Sequence, residues 1–289
     1  CGTGEYQQAL DALMESRHFD RQKVYELLRH SASPAGWGEK EYVSLIETVW
    51  VHNLTAEKGK RMAIAFVDNP FFPRCYDDLL PPLLAGKELG EGALRFLLSR
   101  DRYLADRLED LALVGHRRTL FLGDHRLLSR VAERLPDTGR VVEPAGLLLA
   151  HRYPGQSCSI RLHGDHGQED RTLLDRALRQ TWQEFDQKGF GFDLKGTPFE
   201  ALSPQESLPL PEHAIPRGPV RFRDLYDGYV YLGPAGTLKL TESLKDFYST
   251  EFAAKVNERI KRLYRRDPGL KTGEDLLRLK EKEKTTGEP

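Results

Sequence analysis

Two short apolar runs in this chain end on residues able to move a proton: "AIAFV" closes on Asp68, and "TLFLG" closes on Asp124-His125. An imidazole that titrates near neutrality can take a proton from water in a transition state, and a carboxylate can orient it. A guanidinium can steady the negative charge that develops on the attacked group. The arginine and a further carboxylate stand side by side at Arg100 and Asp101. Asp101 lies seven after Leu94, four after Leu97 and four before Ala105, on the apolar stripe of a helix. A carboxylate on a buried face needs a cation or several hydrogen-bond donors. Arg100 points about 100° away and is not its helix-surface partner. Either both residues face a cleft, or both belong to a charged surface with Arg102, Asp106 and Arg107. For Asp68 and His125 the plainer alternative is a turn or a helix cap, and Asp124 in particular is placed to cap the helix that follows.

Other patterns narrow the chemistry. "RLHGDHGQED" holds His163-x-x-His166 with Asp165, a spacing able to grip a metal, although a polar, glycine-containing stretch reads better as a solvated loop. No cofactor is required by the sequence, and a divalent metal is an option only. No GxSxG elbow, P-loop, HExxH or GxGxxG is present, so serine α/β-hydrolase, nucleotide phosphatase, zincin and dinucleotide chemistry lack their usual marks. A histidine and carboxylates acting on water remain. Cys1, Cys75 and Cys158 have no CxxC spacing and read as free thiols.

The elements that must position these groups follow from periodicity. Helices are expected at Glu5 to Ser16, at Arg21 to His30, and around Tyr42, Val43, Ile46, Val49 and Trp50, whose spacing is helical. Met62 to Val67 reads as a short buried strand. A long helix carries the stripe Leu94, Leu97, Leu98, Leu104, Ala105, Leu108 and Leu111. A second buried strand, Arg118 to Gly123, leads into a helix from Leu127 to Leu135. Strands recur at "GRVVEP", "CSIRL" and "YDGYVYLG", and helices at Thr172 to Lys188 and Leu244 to Tyr264. Strand, helix, strand and helix in this order predict an α/β fold, with a mainly parallel central sheet flanked by helices and a helix-rich N-terminal part. One domain is expected over 1–266, with 201–219 a proline-rich connection or lid. Residues 267–289 read as a charged stretch, a solvated helix followed by a disordered tail.

Composition bounds the partners. The 289 residues are 39% hydrophobic and 30% charged, and 43 basic residues stand against 44 acidic ones. There is no global field to attract nucleic acid, and a small-molecule substrate or ligand is expected instead. No run approaches the roughly 18–20 apolar residues that cross a bilayer. The start Cys1-Gly2 matches what signal cleavage before a lipidated cysteine leaves. A cell-envelope lipoprotein, attached to the membrane only through a lipid on Cys1, is therefore one expectation, and a cytoplasmic protein the other.

Taken in order, "GTGEYQQALDALM", "YVSLIETVWVHNLTAEKGKRMAIAFVD", "SRDRYLADRLEDL", "RTLFLGDHRLL", "GFDLKGTPFE" and "LYDGYVYLGP" resemble the erythromycin esterase-like family. The wider group includes Tiki-type and haem-uptake lipoprotein relatives. The likeness spans roughly residues 2–235. That family opens on a Gly-Glu-x-x-His-Gly-Thr-x-Glu-like turn. Gly2-Thr3-Gly4-Glu5-Tyr6 is similar to its end, which carries Glu5 over, while Cys1 takes the histidine position and the earlier Glu has no counterpart. "RDRYLADRL" is similar to the family's Arg-Asp-x-x-Met-Ala-x-Asn helix and carries over Arg100 and Asp101, with Leu104 and Arg107 departing from it. "LGDHRLL" carries over His125. The resemblance implies a hydrolase of esters or lactones. In it His125 acts on water, Glu5 assists and Arg100 stabilises the oxyanion. The alternative is a catalytically degenerate envelope protein that keeps the cleft for a ligand or partner.

Overall fold

The computed structural model describes residues 6–30, 35–68, 91–123, 125–134, 141–163, 173–203, 220–234, 237, 241–264 and 266–286. Cys1, Glu5, Cys75, Asp124, Asp165, His166 and most of the 201–219 connection lie outside them. The chain is a mixture of helix and strand in two compact units, 1–100 with 240–289, and 101–239.

The first unit is helical because its apolar residues recur at three and four. Helices α1 (Gln7–Glu15), α2 (Arg21–Arg29) and α3 (Lys40–Thr55) bury Leu10 and Leu13, then Val24, Leu27 and Leu28, then Val43, Ile46 and Val49. Asp20 starts α2 by accepting from the backbone N–H groups of Gln22 and Lys23 at 3.1 and 3.2 Å. The long helix α4 (Glu91–Glu109) follows, and its first part, to Arg100, belongs to this unit.

The returning chain completes the core. Helix α9 (Thr250–Tyr264) contributes Phe252, Val256 and Ile260. Tyr25 donates to Asp246 at 2.9 Å, and Arg29 Nε donates to the Phe247 carbonyl at 3.0 Å. Burial first, then the Asp246 contact, push the Tyr25 phenol from 10.0 up to about 12. A phenol whose folded pKa exceeds its unfolded one contributes stability below the unfolded pKa, and loses it as the pH rises through the folded one. Urea unfolding at about pH 9 and about pH 11.5 is expected to show a larger loss of stability in the wild type than in Tyr25→Phe.

Two expectations change in this unit. The helix expected after 266 is packed on one side rather than solvated. Helix α10 (Gly273–Thr286) packs Leu276 into the core at 0% exposure, with Leu270 also buried. A Cβ at Gly273 would overlap the Tyr248 carbonyl oxygen, so α10 begins in direct contact with the Lys245–Phe247 turn region. The Met62 to Val67 run is extended, but it joins no strand ladder among the described residues. Two side-chain amides stand in for a neighbouring strand. Asn53 Oδ1 accepts from Met62 N–H at 2.9 Å and Asn53 Nδ2 donates to Met62 O at 2.7 Å. Gln7 Nε2 donates to Ile64 O at 2.9 Å and Gln7 Oε1 accepts from Phe66 N–H at 2.8 Å. Met62 is exposed, while Phe66, Val67 and Asp68 are buried.

The second unit starts inside α4, where Leu104, Ala105 and Leu108 are buried, and passes through a π-helical turn at Asp110–Val114. The Arg118 to Gly123 run is not a buried strand: Leu120 is 85% exposed and Leu122 61%. A short helix α5 (His125–Leu128) follows, and the expected helix to Leu135 is replaced by β1 (Glu133–Arg134), paired antiparallel with β2 (Val141–Val142). Helix α6 (Ala145–Arg152) leads to β3 (Ile160–Leu162), α7 (Leu173–Glu184), β4 (Phe190–Asp193), α8 (Phe222–Leu225) and β5 (Gly228–Tyr231). Among the described residues these strands form a three-stranded mixed sheet, ordered β3-β5-β4, with β3 parallel and β4 antiparallel to β5. One face gathers Phe190, Phe192, Tyr229 and Tyr231. They pack with Leu174, Leu178 and Trp182 of α7, and with Phe222 and Leu225 of α8.

Candidate functional site

Two of the five expected site residues meet. Arg100 Nε donates to Asp68 Oδ1 at 2.9 Å, and Arg100 Nη2 donates to Asp68 Oδ2 at 2.7 Å. The side chains are 24% and 5% exposed, so the carboxylate is enclosed and the arginine is partly exposed. Asp68 reaches this position because the amide-clamped segment before it delivers it at its buried end, and Arg100 because it lies on α4. A two-pronged contact of this kind fixes the plane of the guanidinium more firmly than a single contact does. Nη1 takes no part in this pair.

Asp101 does something different from its neighbour. Its Oδ1 accepts from the backbone N–H of Ala145 at 3.1 Å, at the start of α6. The residue before that helix, Pro144, provides no side-chain cap. Asp101 thus supplies from α4 the acceptor that the first turn of α6 lacks locally. This explains a carboxylate on an apolar stripe: the donor it needs is a helix end. His125 is the first residue of α5. Glu5 lies outside the described residues, as does Asp124. Asp68 and Arg100 belong to the first unit, and Asp101 and His125 to the second.

A further polar cluster lies in the second unit, around His163, which the sequence pattern places in a solvated loop. His163 follows β3, and its N–H continues the parallel ladder by donating to Val230 O at 2.8 Å. Its ring is not solvated, at 8% side-chain exposure. Nδ1 lies 2.6 Å from the Tyr229 hydroxyl, and Nε2 lies 3.6 Å from Asp175 Oδ1 on α7. The Tyr231 ring meets it edge-on with centroids 4.7 Å apart. Arg161, two residues earlier on the same strand face, is 8% exposed, and Tyr229 is its register partner on β5. Burial drives the Tyr229 phenol well above its usual range, against the opposing pull of the Arg161 charge. The one local sign of this cluster in the sequence is parity: in "SIRLH", Arg161 and His163 alternate with Ile160 and Leu162, so the charged set and the apolar set occupy opposite faces.

Among the described residues no group of three or more His, Cys, Asp and Glu side chains is arranged to hold a metal ion, and no helix is long and apolar enough to cross a membrane. Cys158 is a free, exposed thiol. No family model matches the chain, and neither a curated protein nor a solved structure matches it.

Proposed function

We propose that this protein hydrolyses esters or lactones through a histidine, carboxylate and arginine site that activates water. The fork between Asp68 and Arg100 carries the reading: it brings together two residues that sequence alone had nominated separately. Its geometry refines their roles. A carboxylate with both oxygens engaged by one guanidinium is suited to positioning rather than to proton transfer. Asp68 orients Arg100, and the guanidinium steadies the oxyanion formed as water adds to the acyl carbon. The family resemblance gives proton transfer to His125 and the assisting role to Glu5. Asp101 holds the start of α6. The reading includes the mainly parallel central sheet that the sequence pattern predicts, of which β3 on β5 is the parallel pair described.

The second reading is a ligand-binding envelope protein without turnover, and the same observation favours it in one respect: Asp68 is committed to Arg100. A panel of aryl and alkyl esters and lactones, with and without added divalent metal, separates the two. Turnover by the wild type is expected, with kcat/KM lowered roughly 10- to 100-fold in Arg100→Lys, because an ammonium cannot reproduce the fork. A folded Arg100→Lys protein with wild-type kcat/KM would remove Arg100 from the site. Absence of turnover across the panel would favour the binding protein.

A further inference from the structure

We propose that Arg161, His163 and Tyr229, covered by α7, form a binding site for a small oxyanion of carboxylate or phosphate chemistry. The inference is independent of the hydrolase reading: these residues lie in the second unit, and none belongs to the Asp68–Arg100 pair.

The argument starts from an inverted strand. In β3 the apolar Ile160 and Leu162 are 50% and 54% exposed, whereas the charged Arg161 between them is 8% exposed. Core packing alone selects the opposite pattern, because an arginine cannot shed its charge on burial and carries five N–H donors with no acceptor. Its Nε is buried and makes no hydrogen bond among the described residues. That atom needs an acceptor. Two polar groups near it face His163. The Tyr229 hydroxyl is turned to His163 Nδ1, and the carboxylate of Asp175 lies against His163 Nε2. The β4 residues on this face, Phe190 and Phe192, are apolar, and Tyr231 presents its ring.

The same features define the ligand. The donor without a hydrogen bond is the Arg161 guanidinium, which has no acceptor atoms, and its permanent positive charge excludes a cation. The planar guanidinium suits a carboxylate or a phosphate, which offer two oxygens to one edge. A buried surround strengthens such a contact relative to one at the surface.

The test uses the whole protein. Sodium phosphate and sodium acetate are each titrated against sodium chloride at equal ionic strength, following both the Tm and the His163 ring resonances by NMR. A saturable rise in Tm with at least one oxyanion is expected, with a His163 shift that saturates at the same concentration. Both responses should be lost in Arg161→Met, which keeps volume without charge. A response to phosphate alone assigns a phosphoryl ligand, and a response to acetate alone a carboxylate. If Arg161→Met fails to fold, Tyr229→Phe replaces it, with a weaker anion response expected. The proposal is overturned if the variants respond as the wild type does, which is general salt stabilisation. It is equally overturned if neither oxyanion moves the His163 resonances, which leaves Arg161 Nε to a buried water.

Discussion

His125→Ala is expected to lower kcat/KM for any ester or lactone the protein turns over by roughly 10²- to 10⁴-fold, the range that one positioned general base contributes. The fold should survive the change. His125 opens a four-residue helix, and the core of its unit is assembled elsewhere, around Leu174, Leu178, Phe222 and Tyr229. Far-ultraviolet circular dichroism and the unfolding midpoint should therefore match the wild type. Added imidazole gives the sharper readout: a missing general base is partly replaced by a free one, whereas a merely structural histidine is not. Turnover that persists at wild-type level in the folded variant would exclude His125 as the base. Turnover lost without any rescue by imidazole would point to positioning instead.

The second large effect is on stability. Leu276→Ala is expected to cost about 2–5 kcal/mol, the range for deleting a buried leucine side chain down to Cβ. A leucine on a solvated tail would cost almost nothing, so the measurement separates the two arrangements by several kcal/mol. The large value follows from the 0% exposure of Leu276 among Phe247, Phe252 and Val256. Gly273→Ala supplies an independent check. Its Cβ would collide with the Tyr248 carbonyl, a backbone atom that cannot swing aside. Both variants should lower the urea midpoint with little change in its slope, provided the unit unfolds as one. Truncation before 273 should expose the same core and lower the midpoint further.

Helices with a strong apolar stripe were legible without a structure. The stripes of α1, α2, α3, α4, α7 and α9 recur every three or four residues, and a helix satisfies its own backbone, so a local pattern is enough to specify it. Three of the short strands were legible as well, at "GRVVEP", "CSIRL" and "YDGYVYLG", because turn residues bracket each β-branched or aromatic run. β4 in "FGFD" was not: two glycine-flanked phenylalanines carry little strand signal until β5 provides the ladder.

Apolar runs misled where they needed a partner that periodicity cannot supply. "AIAFV" and "TLFLG" have the composition of buried strands, yet a strand is completed only by its neighbours. The first instead takes its backbone partners from Asn53 and Gln7, and the second leaves Leu120 exposed. The tail was misread for a related reason. Its charge dominated the composition, while its few leucines were enough for one buried face once α9 and the Tyr248 turn were there to receive them.

The candidate residues divide in the same way. By itself the sequence nominated the candidate groups: Asp68, Arg100, Asp101 and His125 by type and by position in their elements, and Glu5 through the family resemblance. Only the tertiary structure decided their partners. It joined Asp68 to Arg100 across 32 positions, gave Asp101 to the amide of Ala145, and closed His163 between Tyr229 and Asp175. The physical reason is that helix formation is a property of neighbouring residues, whereas the fate of a charge depends on what lies within a few ångströms of it in space. For a side chain such as Arg161, that neighbourhood is set by the register of β3 on β5, which no local pattern encodes.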